Sequence, residues 1–188
     1  FRQPFVFFRV VWQPRIAMNT ADIRDLFLRF FEARQHAILP SSSLVPVGDP
    51  SVLLTSAGMQ QFKPYFSGEK APPYSRTTTV QKCFRATDID EVGDLSHLTF
   101  FEMLGNFSFG DYFKEEAIKW ARQLVLDEAG IDPSCLWVTV YEGRDLVPRD
   151  DEAVEIWTDL GHPRERIAYA GDDNFWGPTG DSGPCGPT

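Results

Sequence analysis

The sequence predicts a mixed α+β fold in which helices pack on a sheet, and a few patterns carry that prediction. Ile23, Leu26, Phe27, Phe30 and Phe31 fall at i, i+3, i+4, i+7 and i+8, the spacing of an amphipathic helix. A second helical run lies over 114–129, with Ala117, Ile118, Ala121, Leu124 and Val125 inward. Between them, Lys82-Cys83-Phe84-Arg85 and the run Leu98 to Lys114 flank a polar loop, Ala86 to Ser96, holding Asp88, Asp90, Glu91 and Asp94. Two apolar arms around such a loop are a hairpin-like signature.

Along the chain, Asn19 or Thr20 can cap the first helix, and Pro40 closes the region after it. Ser51 to Thr55 reads as a short strand after the Asp49-Pro50 turn. Pro64, Pro72 and Pro73 mark a loop before the strand around Thr77 to Phe84. Phe100, Phe107, Phe109 and Phe113 are expected mostly as core rings on one buried strand face. Gly130 ends the 114–129 helix, Leu136 to Tyr141 is strongly β-forming, and Asp150 to Leu160 is a short helix stopped by Gly161. Residues 1–17 are set apart. They hold three arginines, no acid and no hydroxyl residue. A transit peptide would be hydroxyl-rich, so 1–17 are read as a non-native or disordered extension, with Met18 as the initiator and 18–188 as the domain.

At 188 residues the chain suits one domain with a sizeable core. Its 43% apolar and 24% charged content is ordinary for a globular protein. Cys83, Cys135 and Cys185 show no C-x-x-C spacing and read as reduced cytosolic thiols, which points to a cytoplasmic protein. No apolar run approaches the roughly 20 residues of a membrane span. The net charge of -9 argues against a broad nucleic-acid surface and fits a small-molecule site better.

Arg85 is the leading candidate for chemistry. An arginine fixed at a strand suits a phosphate or carboxylate, because its planar fork binds either bidentately. An aromatic ring on the opposite arm can stack on a purine base. Such a pair makes a nucleotide clamp without a glycine-rich loop. Gly105 and Gly110 do have P-loop spacing, but Asp111-Tyr112 stands where Lys and Ser/Thr are needed, so that reading is rejected.

These residues resemble motif 2 of the class II aminoacyl-tRNA synthetases: Phe84-Arg85-Ala86, a variable loop, then His97-x-x-x-Phe101. The run Thr99 to Lys114 is similar to the alanine-specific form of that motif. Further blocks agree in order: Ser41 to Pro46, Leu54 to Lys63, and Asp173-Asn174-Phe175-Trp176 leading into Gly183-Pro184-Cys185-Gly186-Pro187-Thr188. The resemblance covers roughly 19–188. It implies an antiparallel sheet flanked by helices, the incomplete class II catalytic core, with motifs 1 and 2 in 18–188. The implied activity is ATP-dependent activation of alanine to alanyl-adenylate and transfer to the 3' end of tRNA(Ala). The implied partners are alanine, ATP with its Mg2+, and tRNA(Ala) through downstream domains; Zn2+ is expected only in an editing domain further on.

The same resemblance assigns site roles. Arg85 faces the α-phosphate and the amino-acid carboxylate as the catalytic residue. ATP contacts fall on Arg85, His97, Phe101 and Met103, alanine contacts on Met59, Arg85 and Trp176, and no residue is assigned to metal. Phe101 would stack on adenine, and Met59 and Trp176 would wall the alanine pocket. A pocket discriminates by only about 1–3 kcal/mol per methylene, so walls that leave no room must do the selecting. Such walls exclude glycine and serine poorly, hence the separate editing site. Two positions depart from the pattern: Leu98 replaces the second of a histidine pair, and Ser96 stands where arginine is frequent. From the residues alone, Arg85 also reads as a surface partner of a loop acid such as Asp88, Phe101 and Met59 as core side chains, and His97 as a structural hydrogen-bonder.

The tail 177–188 forms four Gly-X-Y triplets, too few for a collagen helix, and is read as a glycine-rich loop lining the site. No segment like Gly-x-Gly-x-Glu-Arg, the motif 3 pattern, is present. The chain is therefore expected to be a piece of the catalytic domain and inactive alone. Two other function classes stay open: an enzyme that loads alanine onto a carrier other than tRNA, and a non-catalytic interaction module.

Overall fold

The computed structural model describes residues 18–47, 52–86, 89–95, 97–144, 147–171, 174–176 and 186–187. Residues 1–17, Asp88, Ser96, Asp173 and the glycine-rich 177–185 lie outside the described residues, and with them the expectations placed there.

Helix α1 (Thr20–Glu32) begins where the sequence predicts. The Asn19 side chain accepts from the backbone of Ala21 and Asp22, and the Asp22 carboxylate accepts from the Asn19 N–H, a reciprocal capping box. Its apolar stripe buries Phe27, Phe30 and Phe31, and Trp120 and Leu124 pack against them. Burying rings of this size stabilises by roughly 1.5–3 kcal/mol each.

After α1 the chain forms β1 (Ala37–Ile38), a short 3-10 turn at Gln60–Phe62, α2 (Lys63–Phe66), and the long strands β2 (Arg76–Phe84) and β3 (Phe100–Ser108). The sheet order is β1-β2-β3, with β1 parallel and β3 antiparallel to β2. Register runs from Arg76 opposite Ser108 to Phe84 opposite Phe100. Paired residues share a face, so Thr77, Thr79, Gln81, Cys83, Phe101, Met103, Gly105 and Phe107 occupy one face. The even-numbered residues occupy the other, where Glu102 pairs with Arg24 of α1.

Helix α3 (Lys114–Arg122) continues as a wider π-helical turn over Gln123–Glu128. The predicted helix over 114–129 is thus right in extent but not α-helical throughout; the Ala129 N–H reaches Leu124 O at 2.8 Å. A βαβ unit follows: β4 (Val138–Tyr141), α4 (Asp151–Asp159) and β5 (Ile167–Ala170), with β4 and β5 parallel. Val140, Ala153, Val154 and Ile167 form its core. Lys114, at the start of α3, joins this unit to α3, with Nζ 2.6 Å from Asp150 and 2.9 Å from Glu152. Asp150 also caps α4 by accepting from the Ala153 N–H. A last two-stranded pair, β6 (Phe175–Trp176) with β7 (Gly186–Pro187), closes the described chain.

Two expectations need correction. The stretch 52–55 is not a strand; Thr55 docks singly, donating to Leu44 O and accepting from the Phe84 N–H, both at 2.8 Å. The phenylalanines do not share one buried face. Phe100 is even-numbered and half exposed, and Phe113 lies beyond the strand and is exposed. Phe107 and Phe109 do cluster with Phe62, at ring-centroid distances of 4.5 and 5.8 Å.

A buried polar chain ties α1 to the hairpin. His36 Nδ1 donates to Phe31 O (3.0 Å), so its Nε2 accepts from Tyr112 OH (2.9 Å), which also receives Asn106 Nδ2 (3.0 Å). Burial pushes the His36 imidazole below, and the Tyr112 phenol above, the ordinary range. Because the unfolded chain takes up the proton first, the His36 contribution is intact above about 6.5 and lost as pH falls from there toward the lowered folded value. Thermal melts between about pH 7 and 5 should therefore fall less steeply for His36→Gln than for wild type.

Gly105 is constrained by packing. A Cβ there would lie 2.7 Å from Phe107 Cε2, and that ring is held by Phe62. Gly105→Ala should destabilise by about 1–3 kcal/mol in urea unfolding, and Phe107→Leu should relieve part of the loss.

Candidate active site

The odd-numbered face of the hairpin gathers most of the predicted site residues. Arg85 directly follows β2, and its N–H donates to Thr99 O at 2.8 Å, extending the ladder by one step. Its guanidinium carbon lies 5.2 Å from the centre of the Phe101 ring. Its Nε donates to Ser56 O at 3.0 Å. Among the described residues the terminal Nη atoms take no hydrogen bond or ion pair, and the side chain is exposed. A guanidinium tethered through Nε with its outer fork open is set for a bidentate anion.

The segment 55–62 lies across this face and is pinned at successive points. Arg85 holds Ser56, Met103 Sδ accepts from the Gly58 N–H at 3.1 Å, and Gln81 Oε1 accepts from Gln61 Nε2 at 3.0 Å. Met59 sits between these pins, half-buried, its carbonyl accepting from the Phe62 N–H. Met103, expected at ATP, thus meets the backbone beside the predicted alanine wall. A cavity of about 400 Å3 opens next to this segment, lined in part by Ser42, Thr55, Gln60, Gln61, Lys63 and Glu69.

His97 is held differently. Its Nδ1 lies 2.6 Å from Asp94, its Nε2 3.2 Å from Glu91, and its N–H donates to Asp94. The ring is therefore engaged by loop carboxylates at both nitrogens. Trp176 is described only as backbone, in β6 opposite Gly186. Arg85, Phe101, Met103 and the Met59 segment are brought together; His97 is turned into its own loop. Ser42 and Gly58 fall in the blocks that carry the resemblance, but their contacts with Gln81 and Met103 join distant segments and have no spacing signal in the sequence.

A family described as tRNA synthetases class II (A) matches residues 22–188. The chain is 57% identical over 171 residues to an alanine–tRNA ligase from Rubrobacter xylanophilus, covering 90% of the chain and 19% of that relative. It is 54% identical to one from Leptospira borgpetersenii, covering 90% and 18%. It is 56% identical to one from Dehalococcoides mccartyi, covering 90% and 19%. The chain thus spans about a fifth of the length of these relatives. Among the described residues, no helix is long and apolar enough to cross a membrane.

Cys83 forms part of the floor of this face and is fully buried. Burial pushes its thiol up, against the opposing charge of Arg85. Alkylation at about pH 8 should label Cys135 in the folded protein and Cys83 only after denaturation. Peptide mass spectrometry reads both; equal labelling would mean that the floor is open.

Proposed function

The chain belongs to the tRNA synthetases class II (A) family, and on that premise we propose that it carries part of the adenylation site of an alanine–tRNA ligase. The substrates are alanine, ATP with its accompanying Mg2+, and tRNA(Ala). The alanine carboxylate attacks the α-phosphorus, the bond to the β-phosphate oxygen breaks, and pyrophosphate leaves. The tRNA 3'-terminal hydroxyl then attacks the adenylate carbonyl and AMP leaves. The first step brings two anions together, and charge grows on the phosphoryl oxygens, so its catalysis is mainly positioning and electrostatic stabilisation.

One observation carries this reading: Arg85, tethered through Nε to Ser56 O, keeps its outer fork open beside Phe101. That fork suits the α-phosphate and the carboxylate together, and the Phe101 ring suits the adenine face. Met103 acts through Gly58 in holding the Met59 side of the alanine pocket, and Trp176 forms another wall. His97, with its neighbouring acids, acts at the triphosphate only after a change of partners.

The test is pyrophosphate exchange by the full-length gene product. Exchange should depend on alanine and Mg2+, and Arg85→Ala should lower it about a hundredfold, on the order of 3 kcal/mol of transition-state stabilisation. The melting temperature should change little, because the side chain is exposed. Near-normal exchange by Arg85→Ala would remove the assigned role.

A further inference from the structure

The Gln81 side chain is fully buried at the centre of the site face, an expensive place for a primary amide unless every polar group is paired. It is paired. Oε1 accepts from the Ser42 N–H (2.9 Å), the Ser42 hydroxyl (3.1 Å) and Gln61 Nε2 (3.0 Å). Nε2 donates to Ser42 O (3.2 Å) and to Lys82 O (2.8 Å). Both amide hydrogens are committed and the oxygen is saturated. This side chain has no capacity left for a ligand.

Its partners sit on segments that β-pairing leaves loose. Ser42 belongs to the irregular stretch 41–46, which meets β2 through the Ser41 hydroxyl on the Lys82 N–H (3.0 Å) and through Gln81. Gln61 lies in the 3-10 turn two residues after Met59. Gln81 therefore fixes two chain segments on one strand position, and both border the cavity beside the site. Of the pins on 55–62, Arg85 and Met103 act at its start; Gln81 acts at the far side of Met59.

We propose that Gln81 is a positioning residue for the amino-acid pocket. It sets the height of Met59 above the sheet through Gln61, and so sets the space left for the substrate side chain. This rests on the reading of the site as one that activates alanine. The purine side of the site, at Phe101, is held by the hairpin itself and does not depend on Gln81.

The experiment uses the full-length gene product with Gln81→Met, of similar length but without the amide, and Gln61→Leu, which removes only the pin on the Met59 segment and leaves the Ser42 contacts intact. In pyrophosphate exchange, the KM for alanine should rise on the order of tenfold or more in both variants, since small misplacements of a bound substrate carry large kinetic penalties. The KM for ATP should stay within about twofold, as Gln81 does not reach the nucleotide side. Hydrogen exchange should speed up in peptides spanning 56–61 in both variants, and in 41–46 only for Gln81→Met. A purely structural role would lower stability and the active fraction with both KM values unchanged, and that result overturns the proposal. If Gln81→Met does not fold, Gln61→Leu decides alone. Wild-type protein without alanine-dependent exchange would overturn the functional reading and the pocket role with it. The pin is judged apart from that, because unchanged hydrogen exchange over 56–61 in both variants removes it whatever the activity.

Discussion

Because Cys83 lies opposite Phe101, the side chains of Gln81, Cys83, Phe101 and Met103 project from one face of the hairpin. A slip of one residue between β2 and β3 would send Phe101 and Met103 to the α1 side. Arg85 would then stand beyond the sheet without the ring beside it. The register is held by what each face packs against. On the even side, Glu102 meets Arg24 of α1, and Asn106 joins Tyr112 and His36. On the odd side, Phe107 packs on Phe62, with Gly105 leaving room for the ring. The pairing that shapes the site is thus fixed by contacts on both faces.

β2 is an unusual central strand. Thr77, Thr78, Thr79 and Gln81 are all fully buried, where a purely hydrophobic optimum would place valine and isoleucine. Thr78 donates its hydroxyl to Gly105 O, whereas the Thr77 and Thr79 hydroxyl oxygens have no hydrogen-bond partner among the described residues. An unpaired buried hydroxyl is a liability of roughly 1–3 kcal/mol. The threonines retain the branched shape that packs well on a pleated surface, and Gln81 turns polarity into a connection between segments. The strand serves as much to attach loops as to fill a core.

Those differences explain what the sequence made legible. Helix α1 was readable because its periodicity, the Asn19 cap and Pro40 agree on one answer. The hairpin was readable from two apolar arms around a charged loop, and its pairing places Arg85 beside Phe101 as expected. The 52–55 stretch misled because apolar residues after a turn look like a strand, whereas Thr55 needed only single bonds to Leu44 and Phe84. Phe100 and Phe113 depart from the alternation expected of them because face depends on register and strand length: Phe100 is even-numbered and Phe113 lies beyond β3. β5 went unread: four residues, Ile167 to Ala170, make a strand only because β4 lies beside them in parallel. Gln81 could not be found at all, since one glutamine in a strand says nothing until Ser42 and Gln61 are seen to converge on it.

Charge organises the site in the same way. The chain is acidic overall, and the loop between the hairpin arms concentrates Asp90, Glu91 and Asp94. In water such charges are screened over about 8–10 Å, so the loop does not prevent approach, but it cannot itself grip a phosphate. His97 does not reverse that balance, because Asp94 and Glu91 already hold its ring. Arg85 is a fixed cation at the end of the sheet, and its tether to Ser56 uses Nε and leaves the outer nitrogens without a partner among the described residues. The tether also joins the two halves of the chemistry. The carbonyl that orients the guanidinium belongs to the segment whose far end is pinned by Gln81, so Arg85 and Met59 are positioned by one short stretch of backbone.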